Sequence, residues 1–208
     1  MTKKQTIRIV LPDAGPLISL ACADALDLLL AFQDDVRIVL TDVVEFEATH
    51  RSDDLPDATA IKQFIEQNRD RIDVMSTTVG SLALEDIRRK REGGQPAALS
   101  KDIGELSITS FVISMRMANP GDPMLVILED DWFESNTYAL PGNLHLLSTS
   151  AWLDGLEQMK VIESAAEVRA RIQAARPNFR SGHLLDQEAV KVVEGTAWRP
   201  AVRPGRRG

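Results

Sequence analysis

The sequence predicts an α/β fold with a central parallel sheet of four or five strands covered by helices on both faces. Two observations carry this. Short apolar runs alternate with helical patterns along the chain, and the runs are apolar throughout instead of alternating, as buried parallel strands are. A chain of 208 residues, 44% hydrophobic, is long enough for one substantial core, and no second half differs in composition.

Ile7-Arg8-Ile9-Val10-Leu11 is the first expected strand, halted at Pro12-Asp13. Pro16 suits a first helical turn, and Leu17, Ile18, Leu20, Ala21, Leu26 and Leu28 to Leu30 predict one buried helix to about residue 30. Val36 to Leu40 is the second strand; Thr41 or Asp42 then caps a short helix carrying Glu45 and Glu47. A helix is expected over Asp57 to Asn68, a strand over Ile72 to Met75, and a helix with a basic end over Ser81 to Arg91, broken by Glu92-Gly93-Gly94-Gln95-Pro96. The apolar spacing of Ile103, Leu106, Ile108, Phe111, Val112 and Met115 predicts a helix from Asp102 to before Asn119-Pro120-Gly121.

Met124 to Leu128 is the clearest strand, ended by Glu129-Asp130-Asp131. After a further short helix come a strand at Leu144 to Leu147, a helix started by Ser150 and running through Met159, and a last helix whose Ser164 and Glu167 have capping-box spacing. Residues 1–176 are therefore read as one domain. Residues 177–208 form an extension with one short helix over Leu184 to Val193 and a flexible basic end rich in Arg and Pro.

The lone Cys22 cannot form an internal disulfide and reads as a small buried hydrophobe, which suits a reducing cytoplasm. No apolar stretch reaches bilayer length, so neither a leader nor a membrane anchor is expected. A net charge of -7 argues against a protein that coats nucleic acid by general electrostatics, but it is compatible with an enzyme whose acids surround a cation.

Two of the best strands end in aspartate, at Asp13 and at Asp130-Asp131. Ligands of open parallel sheets bind beyond the carboxyl ends of the strands, so these acids are expected at one cleft, with Glu47 on the same edge and Glu105 within reach. Gathered carboxylates repel, and a hard divalent ion resolves the conflict. Mg2+ and Mn2+ favour oxygen ligands, and either suits phosphodiester hydrolysis by holding a phosphate oxygen and activating a water. Each acid also has a plain structural reading: Asp13 can initiate the Gly15-Pro16 turn, Asp102 and Glu105 have capping-box spacing, and Asp130-Asp131 can cap a helix.

These residues resemble the PIN-domain family, particularly its prokaryotic toxin-like branch. Asp13-Ala-Gly-Pro-Leu-Ile-Ser-Leu-Ala21 resembles the opening motif, Val44-Glu45-Phe46-Glu47 the second, Asp102-Ile-Gly-Glu105 the third, and Leu128-Glu-Asp-Asp131 the final acidic pair. Leu144-His-Leu-Leu-Ser-Thr-Ser150 is similar to the last strand with its terminal hydroxyl, Thr149, so the likeness runs in order over residues 7–175. The chain departs from the pattern in a longer 50–100 region, in Leu-Ser-Ile-Thr after Glu105, and in Trp132.

The resemblance implies a three-layer fold and a metal-dependent endoribonuclease. Asp13, Glu105, Asp130 and Asp131 would be metal ligands, Glu47 (in competition with Glu45) a supporting acid, and Thr149 a residue positioning ligand or water. It also implies Mg2+ or Mn2+, an RNA substrate, a toxin's antitoxin partner and a homodimer or higher oligomer. The competing expectation is a PIN-like binding module without catalysis. Phosphoryl chemistry on an aspartate ranks lower because Gly15 stands where a second acid would be needed, and dinucleotide binding lower still for want of a Gly-rich loop. Arg88 to Arg91 reads as a solvated helix end, and His50, His145 and His183 lack metal-ligand spacing. Trp132 reads as core or interface packing, and Trp152 and Trp198 carry no assigned role.

Overall fold

A computed structural model describes residues 7–32, 34–119, 121–129 and 144–177. Asp130, Asp131, Trp132, the short helix expected after them, His183, Trp198 and the Leu184 to Val193 helix lie outside the described residues.

Five strands form one all-parallel sheet: β1 (Ile9–Pro12), β2 (Arg37–Thr41), β3 (Ile72–Met75), β4 (Met124–Leu128) and β5 (Leu144–Ser148), in the order β3-β2-β1-β4-β5. The helices are α1 (Ala14–Cys22), α2 (Asp42–Thr49), α3 (Pro56–Gln67), α4 (Thr78–Glu92), α5 (Ile103–Ala118), α6 (Thr149–Gln158) and α7 (Ala165–Ala175). This is the three-layer α/β architecture that the apolar runs predict. Every residue of the inner strands β1 and β4 is buried, whereas β3 and β5 at the edges keep partly exposed positions, so apolar content follows depth in the sheet. Helix residues Leu17, Leu20, Val44, Ile61, Ile65, Ile108 and Val112 close the core, and the fully buried Trp152 stacks on Phe32 with ring centroids 6.5 Å apart.

The expected single helix to residue 30 is in fact two: α1 ends at Cys22 and a 3-10 turn spans Leu26–Ala31. The break is a Schellman motif in which Asp24 takes a left-handed φ of 50°, Ala25 N–H donates to Leu20 O and Asp24 N–H to Ala21 O. Aspartate tolerates that conformation better than most residues, and a stretch without glycine does not announce it. The same motif ends α4 at Gly94 and α6 at Lys160. Cys22, expected buried, is only half-buried at the end of α1; partial burial, followed by the charge of Asp57, raises its thiol pKa.

Four helix starts among the described residues are set by hydroxyls. Thr41, Thr77, Ser148 and Ser164 accept from the backbone N–H of Val44, Gly80, Ala151 and Glu167. Ser148, not the expected Ser150, therefore starts α6, which places Thr149 on the helix and not on the strand. Asp102 does not form the capping box its spacing allows: it is left-handed at φ 62° and its side chain caps nothing.

Asp42 ties α2 to the start of α4, accepting from Ser76 Oγ, Thr77 N–H and Thr77 Oγ1. Gly80 admits this approach, because a Cβ there would collide with Asp42 Oδ1. Gly80→Ala is expected to expel the carboxylate and lower stability by about 1–2 kcal/mol in urea unfolding, after the better helix propensity of Ala offsets about 1 kcal/mol. An unchanged midpoint would show that Asp42 does not hold the two helices together.

Candidate acidic site at the strand ends

The strand order reverses direction beside β1: β2 and β3 extend one way, β4 and β5 the other. In such sheets the crevice lies at the carboxyl ends of the two strands flanking the switch, here β1 and β4. β1 runs directly into Asp13, whose N–H continues the ladder by donating to Ile127 O at 2.9 Å. Asp13 is nearly buried and occupies the N-cap position of α1, yet its carboxylate makes no capping bond to that helix. Asp13 thus follows the end of β1 and opens the Gly15-Pro16 turn into α1, as its plain structural reading has it, without its carboxylate capping the helix.

Glu47 approaches the same point from α2. A Cβ built on Gly104 would stand 2.7 Å from Glu47 Oε2 and 3.7 Å from Asp13 Oδ1, so the bare backbone of Gly104 floors a cradle shared by the two carboxylates. Burial alone pushes the Glu47 carboxyl above the ordinary glutamate range, and no Lys or Arg among the described residues pairs with it. Glu45, two residues away and so on the other side of α2, instead meets Arg69 of the α3–β3 turn at 3.5 Å. Helix geometry thus separates the two candidates: Glu47 faces Asp13 and Glu45 faces a lateral cleft.

Gly104 is held in place from both sides. Asp102 turns the chain through a left-handed conformation two residues earlier, and Ser107 Oγ donates to Gly104 O while bonding Thr41 Oγ1 at 2.6 Å. Glu105 follows directly, half-buried in the first turn of α5.

Beyond β4, the Glu129 side chain is nearly buried against Gly15 of α1. Thr149 Oγ1 donates to its Oε1 at 3.1 Å and Arg176 pairs with its Oε2 at 2.9 Å, while the same Arg176 nitrogen donates to Gly15 O at 3.2 Å and to Ser19 Oγ. Burial raises the Glu129 pKa; Ser19, Arg176 and Thr149 pull it back in part. Thr149, expected to position a ligand or water, thus acts on Glu129. Sequence reasoning does not single out Glu129, Arg176, Ser19 or Gly104 as site residues, and only Glu129, first of the acids after β4, carries a local signal.

Among the described residues no group of three or more His, Cys, Asp or Glu side chains is placed to hold a metal ion. Asp13 and Glu47 are a pair. The lateral cleft, about 370 Å³, lies between α2 and α3 and is lined by Glu45, Thr49, His50, Lys62, Glu66 and Arg69 among others. It does not include the acid pair. Arg88, Arg89 and Lys90 are occupied on their own helix by Glu85, Asp86 and Glu92, the solvated helix end expected of them. No helix of the described residues is long and apolar enough to cross a membrane. No family model, curated protein or solved structure matches the chain.

Proposed function

We propose that the chain is a divalent-metal-dependent endoribonuclease of the PIN kind, hydrolysing RNA phosphodiester bonds at the carboxyl edge of the sheet. The observation that carries the reading is the convergence of Asp13 and Glu47 over Gly104 beside the topological switch, with Glu47 half-buried and paired with no cation among the described residues. A hard cation answers that arrangement: two oxygens face one small space, and a methyl group at Gly104 would fill it. Asp13 and Glu47 would hold Mg2+ or Mn2+ there, with Glu105 beside them and Asp130 and Asp131 joining on the family resemblance.

Bound in that place, the ion supplies charge neutralisation for the phosphoryl oxygens and a lowered pKa for its water. The chain's own residues supply position. The Asp13 backbone is fixed by the β1–β4 ladder, Glu47 by α2, and the Gly104 turn by Asp102 and Ser107. A rigid pair of acids keeps the reacting phosphate and water in line without reorganisation. A toxin's role, with an antitoxin partner and a homodimer, belongs to the same reading and rests on the resemblance.

The test is cleavage of single-stranded RNA by purified protein with Mg2+ or Mn2+, against Asp13→Ala. Loss of cleavage in a variant that melts as a folded protein supports the proposal; equal cleavage by the variant sinks the site. The absence of a third acid from the pair, among the described residues, favours as second reading a non-catalytic binding module. Calorimetry that detects no Mg2+ or Mn2+ binding to the folded protein would select it.

A further inference from the structure

The lateral cleft and the acid cradle share helix α2, and the surface between them is built of rings and cations. Phe46 and His50 stack with centroids 4.9 Å apart and planes 13° from parallel, and the Arg91 guanidinium lies 5.5 Å from the Phe46 centroid. His50 Nδ1 faces the carbonyl oxygens of Phe46 and Glu47, at 3.1 and 3.2 Å, so that nitrogen carries its proton and donates; Nε2 is not engaged by the helix. Beyond the rings the cleft brings Lys62 and Arg69 opposite Glu45 and Glu66, and Lys62 forms no ion pair among the described residues. Unlike Arg88, Arg89 and Lys90, Arg91 has no acidic partner among them either.

Successive helix residues turn by about 100°, so His50 lies about 60° around α2 from Glu47 and about 4.5 Å along the axis. The order around the helix is then cradle, ring stack, cleft. That sequence of surfaces fits a nucleic-acid strand: an aromatic platform for a base, cations for phosphates, and carboxylates able to accept from the exocyclic amines of a base. A cleft of about 370 Å³ is at the small end of ligand clefts, the scale of a single nucleotide unit. In a protein of net charge -7, Lys62 and Arg91, without ion pairs among the described residues, are the charges at this edge free to meet phosphates, since Arg69 is matched by Glu45.

We propose that the Phe46–His50–Arg91 stack and the adjoining α2–α3 cleft form a nucleotide subsite for single-stranded RNA, holding a residue of the strand next to the one at the acid cradle. The inference rests on the endoribonuclease reading for its substrate, though binding at the subsite needs no metal. His50 stacks the base, Lys62 meets a phosphate, and Arg91 stiffens the platform from behind Phe46.

The test is fluorescence anisotropy of a labelled single-stranded RNA oligonucleotide in EDTA, on an Asp13→Asn background so that the RNA stays intact, beside cleavage assays on the otherwise native chain with Mn2+. His50→Ala and Lys62→Ala are each expected to weaken RNA binding about tenfold, and Lys62→Ala to reduce the salt slope of binding by roughly one unit, with Arg88→Ala unchanged. In cleavage, the same variants raise KM and leave kcat. Lys62 is exposed on α3, so its variant reports on binding even if His50→Ala loosens the end of α2. Wild-type affinity and KM in both variants, in a protein that cleaves RNA, overturn the subsite and leave the ribonuclease reading intact. Variant-sensitive binding without cleavage upholds the subsite and counts against the ribonuclease; a protein that neither binds nor cleaves RNA overturns both.

Discussion

Glu47→Gln is expected to make the metal-free protein more stable at pH 8 and, in the same molecule, to lower RNA cleavage by at least roughly a hundredfold. The two effects have one cause. Burial raises the Glu47 pKa in the folded state above its unfolded value, so the folded protein binds the proton more tightly than the unfolded chain does. The stability associated with that proton is fully present below the unfolded pKa and is lost as pH rises through the folded pKa. A glutamine in its place carries no such penalty, and the advantage of the variant therefore grows from acid toward neutral pH. A divalent ion reverses the ranking: at a hundred times its dissociation constant it stabilises the native form by about 2.7 kcal/mol, and only where both carboxylates are present. Melting curves of the two proteins over pH, with and without Mn2+, read both halves. A variant no more stable at pH 8 would show that Glu47 carries no desolvation penalty in the fold, and one that cleaves as well as wild type would remove it from the site.

How much of this is legible in the sequence depends on the range of the forces involved. The strands follow from local apolar runs, and all five begin and end within a residue or two of where the pattern puts them; Ile72–Met75 and Met124–Leu128 coincide at both ends. Asp13 is legible because a strand-ending Pro12-Asp13 fixes its place at the sheet's carboxyl edge whatever the tertiary details. Between Glu45 and Glu47 the sequence offers only that they occupy different helix faces. The choice is made by the surroundings of α2, with Arg69 on one side and the bare Gly104 backbone on the other. Helix ends at Asp24 and Lys160 leave no mark in the sequence since neither residue is glycine, and their left-handed turns are imposed by the packing of the chain beyond them.

Gly104 shows a further kind of illegibility. Its Asp-Ile-Gly-Glu setting marks a helix start and resembles the family's third motif, neither of which gives the glycine a role of its own. Its consequence is spatial: the missing Cβ is the space two distant acids share. The β1–β2 pairing, the Asp102 turn and the Thr41–Ser107 hydroxyl bond help bring those elements to one place.

Arg176→Met is expected to produce the largest loss of stability, about 2–3 kcal/mol in urea unfolding at neutral pH. One guanidinium joins Glu129, Gly15 O and Ser19, and thereby holds the end of α7 to both β4 and α1. Removing it leaves a carboxylate whose side chain is only 10% exposed with the Thr149 and Ser19 hydroxyls as its partners, and unpaired buried charge is costlier than a missing surface bridge. The loss stays toward the low end of such cases because the Arg176 side chain is itself 31% exposed and solvent screens the pair. Protonation sets a further bound. Glu129 is already shifted upward by burial despite Arg176, and without the cation it rises further, so the folded variant escapes part of the penalty by taking up a proton. Its deficit must therefore be small in acid, where Glu129 is neutral with or without the arginine, and widen as pH rises through its folded pKa. Adding Glu129→Gln to Arg176→Met removes the stranded charge and is expected to restore part of the loss, a coupling that two independent surface substitutions would not show. If the single variant unfolds within about 0.5 kcal/mol of wild type at every pH, the ion pair is incidental and the two hydroxyls suffice to keep Glu129 in the fold.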